Sequence, residues 1–258
     1  MTYQKFSLEG KRALVFGGTS GLGRSIAHGL AEAGADVVPV SRRADEVAKT
    51  AAEIRSMGRK TLEATADVTQ RPDIQHVIDR MVQEMGRIDI LVNSAGITKR
   101  APSLELDDDT WDRILNINLK GTWLTCQMVG RVMKEQQYGR IVNIASIGSY
   151  LSLHEAAPYC ASKGGVAALT RSLGAEWTPY NIAVNAIAPG VFETPLNRAI
   201  IHEPGRMASI LSHTPMNRFG NLEEIKGAAI FLASEAASFL TGEIISVDGG
   251  FMAQGIGR

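Results

Sequence analysis

The sequence predicts an α/β fold, a doubly wound parallel sheet with helices on both faces, and three observations predict it. The apolar runs are short and continuous, as in Ala13-Leu14-Val15-Phe16 or Ile141-Val142-Asn143-Ile144-Ala145. They lack the polar alternation of a strand with one wet face, so each is expected to be covered on both sides. A helix-length amphipathic stretch separates most runs from the next, which is the spacing that parallel crossovers need. The 26 glycines fall singly or in pairs at the ends of apolar runs, where turns belong.

Taken in order, residues 12–16 read as the first buried strand, 21–33 as a helix closed by Gly34, and 35–40 as the second strand. A second helix is expected over 45–57. The alternation continues through 60–66, 74–85, 88–93, 109–137, 140–145, 157–180, 182–188, 222–233 and 243–247. No linker, composition break or solenoid-length repeat interrupts it, so residues 1–258 are expected to form one domain. Pro195, Pro204, Gly205 and Pro215 punctuate the stretch 191–218, which is expected to be a lid of short helices.

Composition excludes several classes. Lys+Arg and Asp+Glu both number 27, so there is no basic excess to recruit nucleic acid or an acidic membrane. The N-terminus lacks a signal-peptide layout and no apolar run nears the roughly 18 residues of a membrane span. Cys126 and Cys160 are too few for a disulfide framework, which fits a reducing cytoplasm. The five histidines show no ligand spacing, so no metal is expected.

Two stretches carry chemistry. Gly17-Gly18-Thr19-Ser20-Gly21-Leu22-Gly23 lies between the first strand and first helix, where glycines let the backbone turn tightly and approach a pyrophosphate. Glycine-rich turns of this kind also serve plain packing. Tyr159 and Lys163 stand four apart in an alanine-rich helical stretch, so both side chains share one face. An ammonium about 4 Å from a phenol, at an effective dielectric of about 20, supplies roughly 4 kcal/mol and moves the phenol toward neutral-pH proton exchange. Taken alone, such a pair is also found as a half-buried aromatic beside a solvated lysine. Ser146 follows an apolar run and is expected at a strand's C-terminal end, where open α/β sheets place ligands.

With Asn93-Ser94-Ala95-Gly96, Asn118 in its Asn-Ile-Asn-Leu-Lys-Gly stretch, and Pro189-Gly190, these motifs resemble the short-chain dehydrogenase/reductase family from about Leu8 to Gly250. Phe16 and Ser94 depart from the family pattern, where threonine and asparagine are usual, and leave the local bracing of the loop open. The resemblance implies a single Rossmann-like domain and an NAD(P)-dependent oxidoreductase acting on CH–OH groups. It implies Tyr159 as general acid or base, Ser146 on the substrate oxygen, Lys163 on the nicotinamide ribose and Asn118 holding a relay water. It further implies cofactor contacts from Gly17, Thr19, Ser20, Gly21, Leu22, Gly23, Asp67, Val68, Asn93, Ala95, Gly96, Pro189, Gly190, Val191 and Thr194. Asp67 is assigned to the adenine amino group and Thr194 to the nicotinamide carboxamide.

At the end of the second strand, Ser41-Arg42-Arg43 stands where an acidic residue would accept a ribose diol. Guanidinium groups suit a phosphate instead, so NADP(H) is favoured over NAD(H), although two arginines also begin many solvated helices. More loosely, the stretches at 96–100, 214–220 and 248–256 resemble gluconate 5-dehydrogenases and related sugar-acid or polyol dehydrogenases. Arg100 is a candidate for a substrate carboxylate or a plain surface arginine, and His154 for the pocket wall or a loop cap. A 3-oxoacyl-thioester reductase and a non-catalytic nucleotide sensor are the other readings. The apolar faces of the helices 109–137 and 157–180 exceed what one sheet layer needs, and the resemblance implies a homotetramer or homodimer built through them; the tail 251–256 either adds a contact or frays.

Overall fold

The computed structural model describes residues 3–254, and their side chains except at 199, 200 and 204. Among these residues, seven parallel strands form the sheet: β1 (Arg12–Phe16), β2 (Asp36–Ser41), β3 (Ala64–Thr65), β4 (Ile90–Asn93), β5 (Gly139–Ile144), β6 (Ile182–Pro189) and β7 (Ile244–Val247). Their order is β3-β2-β1-β4-β5-β6-β7, so the chain reverses its direction of growth between β1 and β4. That switch leaves a crevice above the strands' C-terminal ends, because the connections on its two sides lead away from each other.

The helices are α1 (Gly21–Glu32), α2 (Ala44–Ser56), α3 (Arg71–Met85), α4 (Asp108–Leu115), α5 (Gly121–Gln136), α6 (Ala157–Glu176), α7 (Arg198–Ile201), α8 (Pro204–Ser212) and α9 (Lys226–Ala233). Strand pleating sorts the core into two layers. Leu14 and Phe16 of β1 point toward Ile78 and Met81 of α3 and Val129 of α5, while Ala13 and Val15 join Ile26 and Leu30 of α1 and Leu232 of α9. Both faces of β1 are therefore dry, which is why its sequence shows no alternation.

Four elements depart most from the expected ones, while others shift by one to three residues at an end, as at α3 and β4. The strand at 60–66 shrinks to Ala64–Thr65, since β3 is an edge with one neighbour and a short edge offers little to a stray strand. The helix expected over 109–137 is broken by a π-helical stretch, Asn116–Lys120, between α4 and α5. The helix expected over 157–180 ends at Glu176 and passes into a 3-10 turn, Thr178–Tyr180, that contains Pro179. The start of 222–233 is likewise a 3-10 turn, closed by a capping box between Asn221 and Glu224. The apolar tail 251–256 lies partly outside the described residues.

Candidate active site

The crevice at the switch point is a cavity of about 390 Å³ whose wall runs from the loop after β1 to residues of α6. Gly17 has φ +77°, and a Cβ there would come within 2.5 Å of the Ala95 backbone nitrogen. A Cβ at Gly23 would overlap the Gly17 carbonyl oxygen. The loop after β1 and the loop after β4 thus touch through bare backbone. No side chain caps α1 at Ser20, and the first amide of that turn to close on the helix is Arg24 N–H, onto Ser20 O at 3.1 Å. Gly21, Leu22 and Gly23 line the cavity with uncapped helix N-terminal amides, a cradle that fits a pyrophosphate in size and sign.

Phe16 and Ser94, whose bracing of the loop the sequence left open, are joined through main chain. Ser94 N–H donates to Phe16 O at 2.9 Å, and the Phe16 ring is buried in the core under β1. The loop is therefore braced by the sheet's own hydrogen bonding and by ring packing.

Ser146, Tyr159 and Lys163 meet on one wall of the same cavity. Ser146 stands just beyond β5, and its Oγ accepts from Gly148 N–H at 3.0 Å, which leaves the hydroxyl hydrogen free for the phenol or a substrate oxygen. Lys163 is almost fully buried, and its Nζ donates to Ile144 O at 2.6 Å. Burial without a carboxylate partner pulls its pKa from 10.5 down to about 8. Its ammonium lies 5.9 Å from the Tyr159 ring centre. Burial pushes the Tyr159 phenol above its usual value, and a hydrogen bond with Ser146 recovers only part of that. The expected acidification of the phenol by the lysine is thus reversed here: the ammonium is drawn to the Ile144 carbonyl and desolvation wins.

Asn118 sits fully buried in the π-helical stretch. Its Oδ1 accepts from Ile97 N–H at 2.8 Å, and its Nδ2 donates to Ile97 O at 2.9 Å and Ser162 Oγ at 3.0 Å. It therefore fastens the loop after β4 to α6. Gly96 leaves room for this, because a Cβ there would stand 3.3 Å from Asn118 Oδ1 and 3.7 Å from Lys163 Nζ.

Of the other expected contacts, Gly17, Thr19, Ser20, Ser41, Arg42, Arg43, Asp67, Val68, Ala95, Gly96, Pro189, Gly190 and Thr194 all line the cavity. Four residues do not. Asn93 is turned into the interior, where its Nδ2 donates to Asn143 Oδ1 at 2.9 Å and its Oδ1 accepts from Thr125 at 2.7 Å. Val191 lines a neighbouring groove instead. Arg100 is held by two of the chain's own carboxylates, Glu155 at 2.7 Å and Glu203 at 2.9 Å. His154 is three-quarters exposed beside Glu155.

Sequence reading missed Asn197, whose Oδ1 accepts from both Thr194 N–H at 2.9 Å and Thr194 Oγ1 at 3.0 Å. The signal was a Thr-x-x-Asn spacing in the loop after β6, legible only once the loop is known to fold back. Behind the site, Asn143 Nδ2 donates to Thr170 Oγ1 at 3.0 Å, and Cys126, buried in the same network, has its thiol pushed up to about 12. A thiol so protonated is inert.

A family model described as enoyl-(acyl carrier protein) reductase matches residues 17–252. The chain is 40% identical over 250 residues to a 2-dehydro-3-deoxy-D-gluconate 5-dehydrogenase of Pseudoalteromonas atlantica, covering 96% of this chain and 98% of that one. It is 37% identical to a 3-oxoacyl-[acyl-carrier-protein] reductase of Thermotoga maritima, over 95% and 99% of the two chains. A gluconate 5-dehydrogenase of Burkholderia cenocepacia, solved in complex with NADP and tartrate, superposes with a TM-score of 0.94 at 40% identity, over 98% of this chain and 99% of that one. Matched in sequence and in shape over nearly its whole length, the chain belongs to the short-chain dehydrogenase/reductase family of nicotinamide-dependent oxidoreductases.

Proposed function

We propose that the chain interconverts a secondary alcohol and a ketone on a sugar acid or a closely related polyol or ketose, with Ser146, Tyr159 and Lys163 as its catalytic groups. The observation that carries this is their convergence on the wall of the cavity that also holds the glycine cradle. A bound nicotinamide supplies or accepts the hydride in such chemistry. Tyr159 gives its proton to the carbonyl oxygen in reduction and takes it back in oxidation. Ser146, with one lone pair engaged by Gly148 N–H, has its hydrogen to give to that oxygen. Lys163 has one hydrogen on Ile144 O and two left that would hold ribose hydroxyls. Asn118 is a positioning residue, because both ends of its amide are spent on Ile97 and Ser162. Thr194 donates its own hydrogen to Asn197, so toward a carboxamide it acts as an acceptor for the amino group.

At the far end of the cavity, Ser41, Arg42 and Arg43 would hold the adenosine ribose and favour NADP(H) over NAD(H), and Asp67 and Val68 would meet the adenine. The 191–218 segment, carrying α7 and α8, closes over the substrate as a lid of the single domain. An apolar groove lined by Leu119 and Trp123 on one side and Ala168 and Leu169 of α6 on the other supports self-association as a homotetramer or homodimer. No helix among the described residues is long and apolar enough to cross a membrane, and two free cysteines, Cys126 and Cys160, suit a reducing cytoplasm.

The names of the relatives at 40% identity support the sugar-acid substrate, and the Thermotoga relative keeps a 3-oxoacyl thioester as the second reading. The test follows nicotinamide absorbance with gluconate, 5-ketogluconate, sorbitol and an acetoacetyl thioester. Turnover of the thioester alone overturns the sugar-acid reading.

A further inference from the structure

Arg42 and Asp67 come from different strand ends, β2 and the loop after β3, and face each other across the adenosine end of the cavity. Arg42 Nη1 lies 3.7 Å from Asp67 Oδ2, and among the described residues this is the one ion pair Arg42 makes. The carboxylate is the fixed member. Its Oδ1 accepts from Thr69 N–H at 2.9 Å and from Thr69 Oγ1 at 2.7 Å, which leaves Oδ2 for the arginine. Burial pushes the Asp67 carboxyl up, but the Thr69 bonds and the Arg42 charge outweigh it and hold the group below its usual range, so it is ionised at neutral pH. Arg42 is the mobile member, a long side chain more than half exposed. Arg43 beside it has no ion pair among the described residues.

Two cations and one anion therefore share this end of the cavity. A doubly charged 2′-phosphate finds less positive potential than the paired arginines alone would offer. An adenosine that lacks the phosphate does not strand Arg42 without a counter-ion, because Asp67 stays paired with it. Specificity is a difference between two affinities, and a residue that disfavours one ligand while sparing the other moves that difference.

We infer that Asp67 sets how strongly the chain distinguishes NADP(H) from NAD(H), by sharing Arg42 with the adenosine 2′ position and so permitting both cofactors to bind. This rests on the nicotinamide site described above. Asp67 is a positioning residue in this role, and its effect passes through Arg42.

Dissociation constants for NADPH and NADH, read from the fluorescence of the bound reduced nicotinamide, test it in wild type, Asp67→Asn, Arg42→Gln and the double variant. Asp67→Asn is isosteric and keeps an oxygen for Thr69. It is expected to raise the ratio of NADPH to NADH affinity about two- to fivefold, the range of a partly exposed ion pair. That gain is expected to vanish in the Arg42→Gln background, and Asp67→Glu, which retains the charge, is expected to keep the wild-type ratio. If Asp67→Asn fails to fold, Asp67→Ser carries the same expectation. Equal weakening of both cofactors by Asp67→Asn makes the residue a plain adenine contact and overturns the inference. Equal weakening of both by Arg42→Gln instead overturns the NADP(H) reading of the site.

Discussion

Arg100, in the loop after β4, bonds Glu203, the residue that opens α8, at 2.9 Å across 103 positions of sequence. The same guanidinium meets Glu155, four residues before Tyr159, at 2.7 Å, and Ala101 N–H donates to Glu155 O at 2.9 Å. Glu155 itself has φ +59°, a conformation few side-chain-bearing residues adopt without support. One side chain thus ties the loop after β4, the approach to α6 and the proposed lid. Arg100→Gln is expected to speed proteolysis across α7 and α8 several-fold and to raise KM. Its thermal cost should be small, about 1 kcal/mol or less for pairs this exposed. Limited proteolysis with and without added salt checks it; an unchanged cleavage rate counts against the tie.

Tyr159→Phe removes the phenolic proton and little else. Turnover is expected to fall by at least about a hundredfold, the scale of a lost general acid or base, while NADPH affinity stays within about twofold. In the wild type, alcohol oxidation needs the base form of a group whose pKa burial raises, so its rate is expected to climb with pH. Ketone reduction needs the acid form and should decline at high pH. Rate profiles in both directions, with a binding isotherm for the variant, decide the matter.

Lys163 makes stability depend on pH in a stated direction. Its folded pKa, about 8, lies below its ordinary 10.5. Below about pH 8 the folded chain bears the whole cost of a buried ammonium. Between about 8 and 10.5 the unfolded chain still holds the proton that the folded one has released, so stability gains with rising pH. Lys163→Met is therefore expected to be the more stable protein at pH 7, by up to on the order of 3 kcal/mol, with that advantage shrinking toward pH 10. Denaturant melts of both proteins at the two pH values measure the difference, and a constant gap argues against a desolvated lysine.

Gly23→Ala drives a methyl into the Gly17 carbonyl. Something in the loop must shift, at a cost of about 1–3 kcal/mol. NADPH and NADH are expected to lose affinity together, by about tenfold or more, since both share the pyrophosphate. Calorimetric titration shows whether the loss is common to the two; a loss confined to one would place the pyrophosphate elsewhere.

Much of this site was legible because its signals are local. Tyr159 and Lys163 share a helix face by spacing alone, and Gly17 to Gly23 announce a turn whose only neighbours in sequence are a strand and a helix. What stayed hidden depends on distant segments meeting. The π-helical break at Asn116–Lys120 has no local marker beyond Asn118 and Gly121. Arg100 looked like a free cation because Glu203 is 103 residues away. The phenol was expected to be acidified because a lysine stands one turn on, yet burial, a tertiary quantity, reversed the sign.

Asn143 and Ile144, consecutive on β5, grip α6 at two heights, the first through Thr170 at 3.0 Å and the second through Lys163 at 2.6 Å. Thr170 and Lys163 are seven positions apart, so on an α-helix they point within about 20° of the same azimuth. Two bolts along one meridian prevent the cylinder from rolling. The strand they anchor to runs straight on into Ser146, so the angle between hydroxyl and phenol is machined in during folding, ahead of any encounter with a ligand.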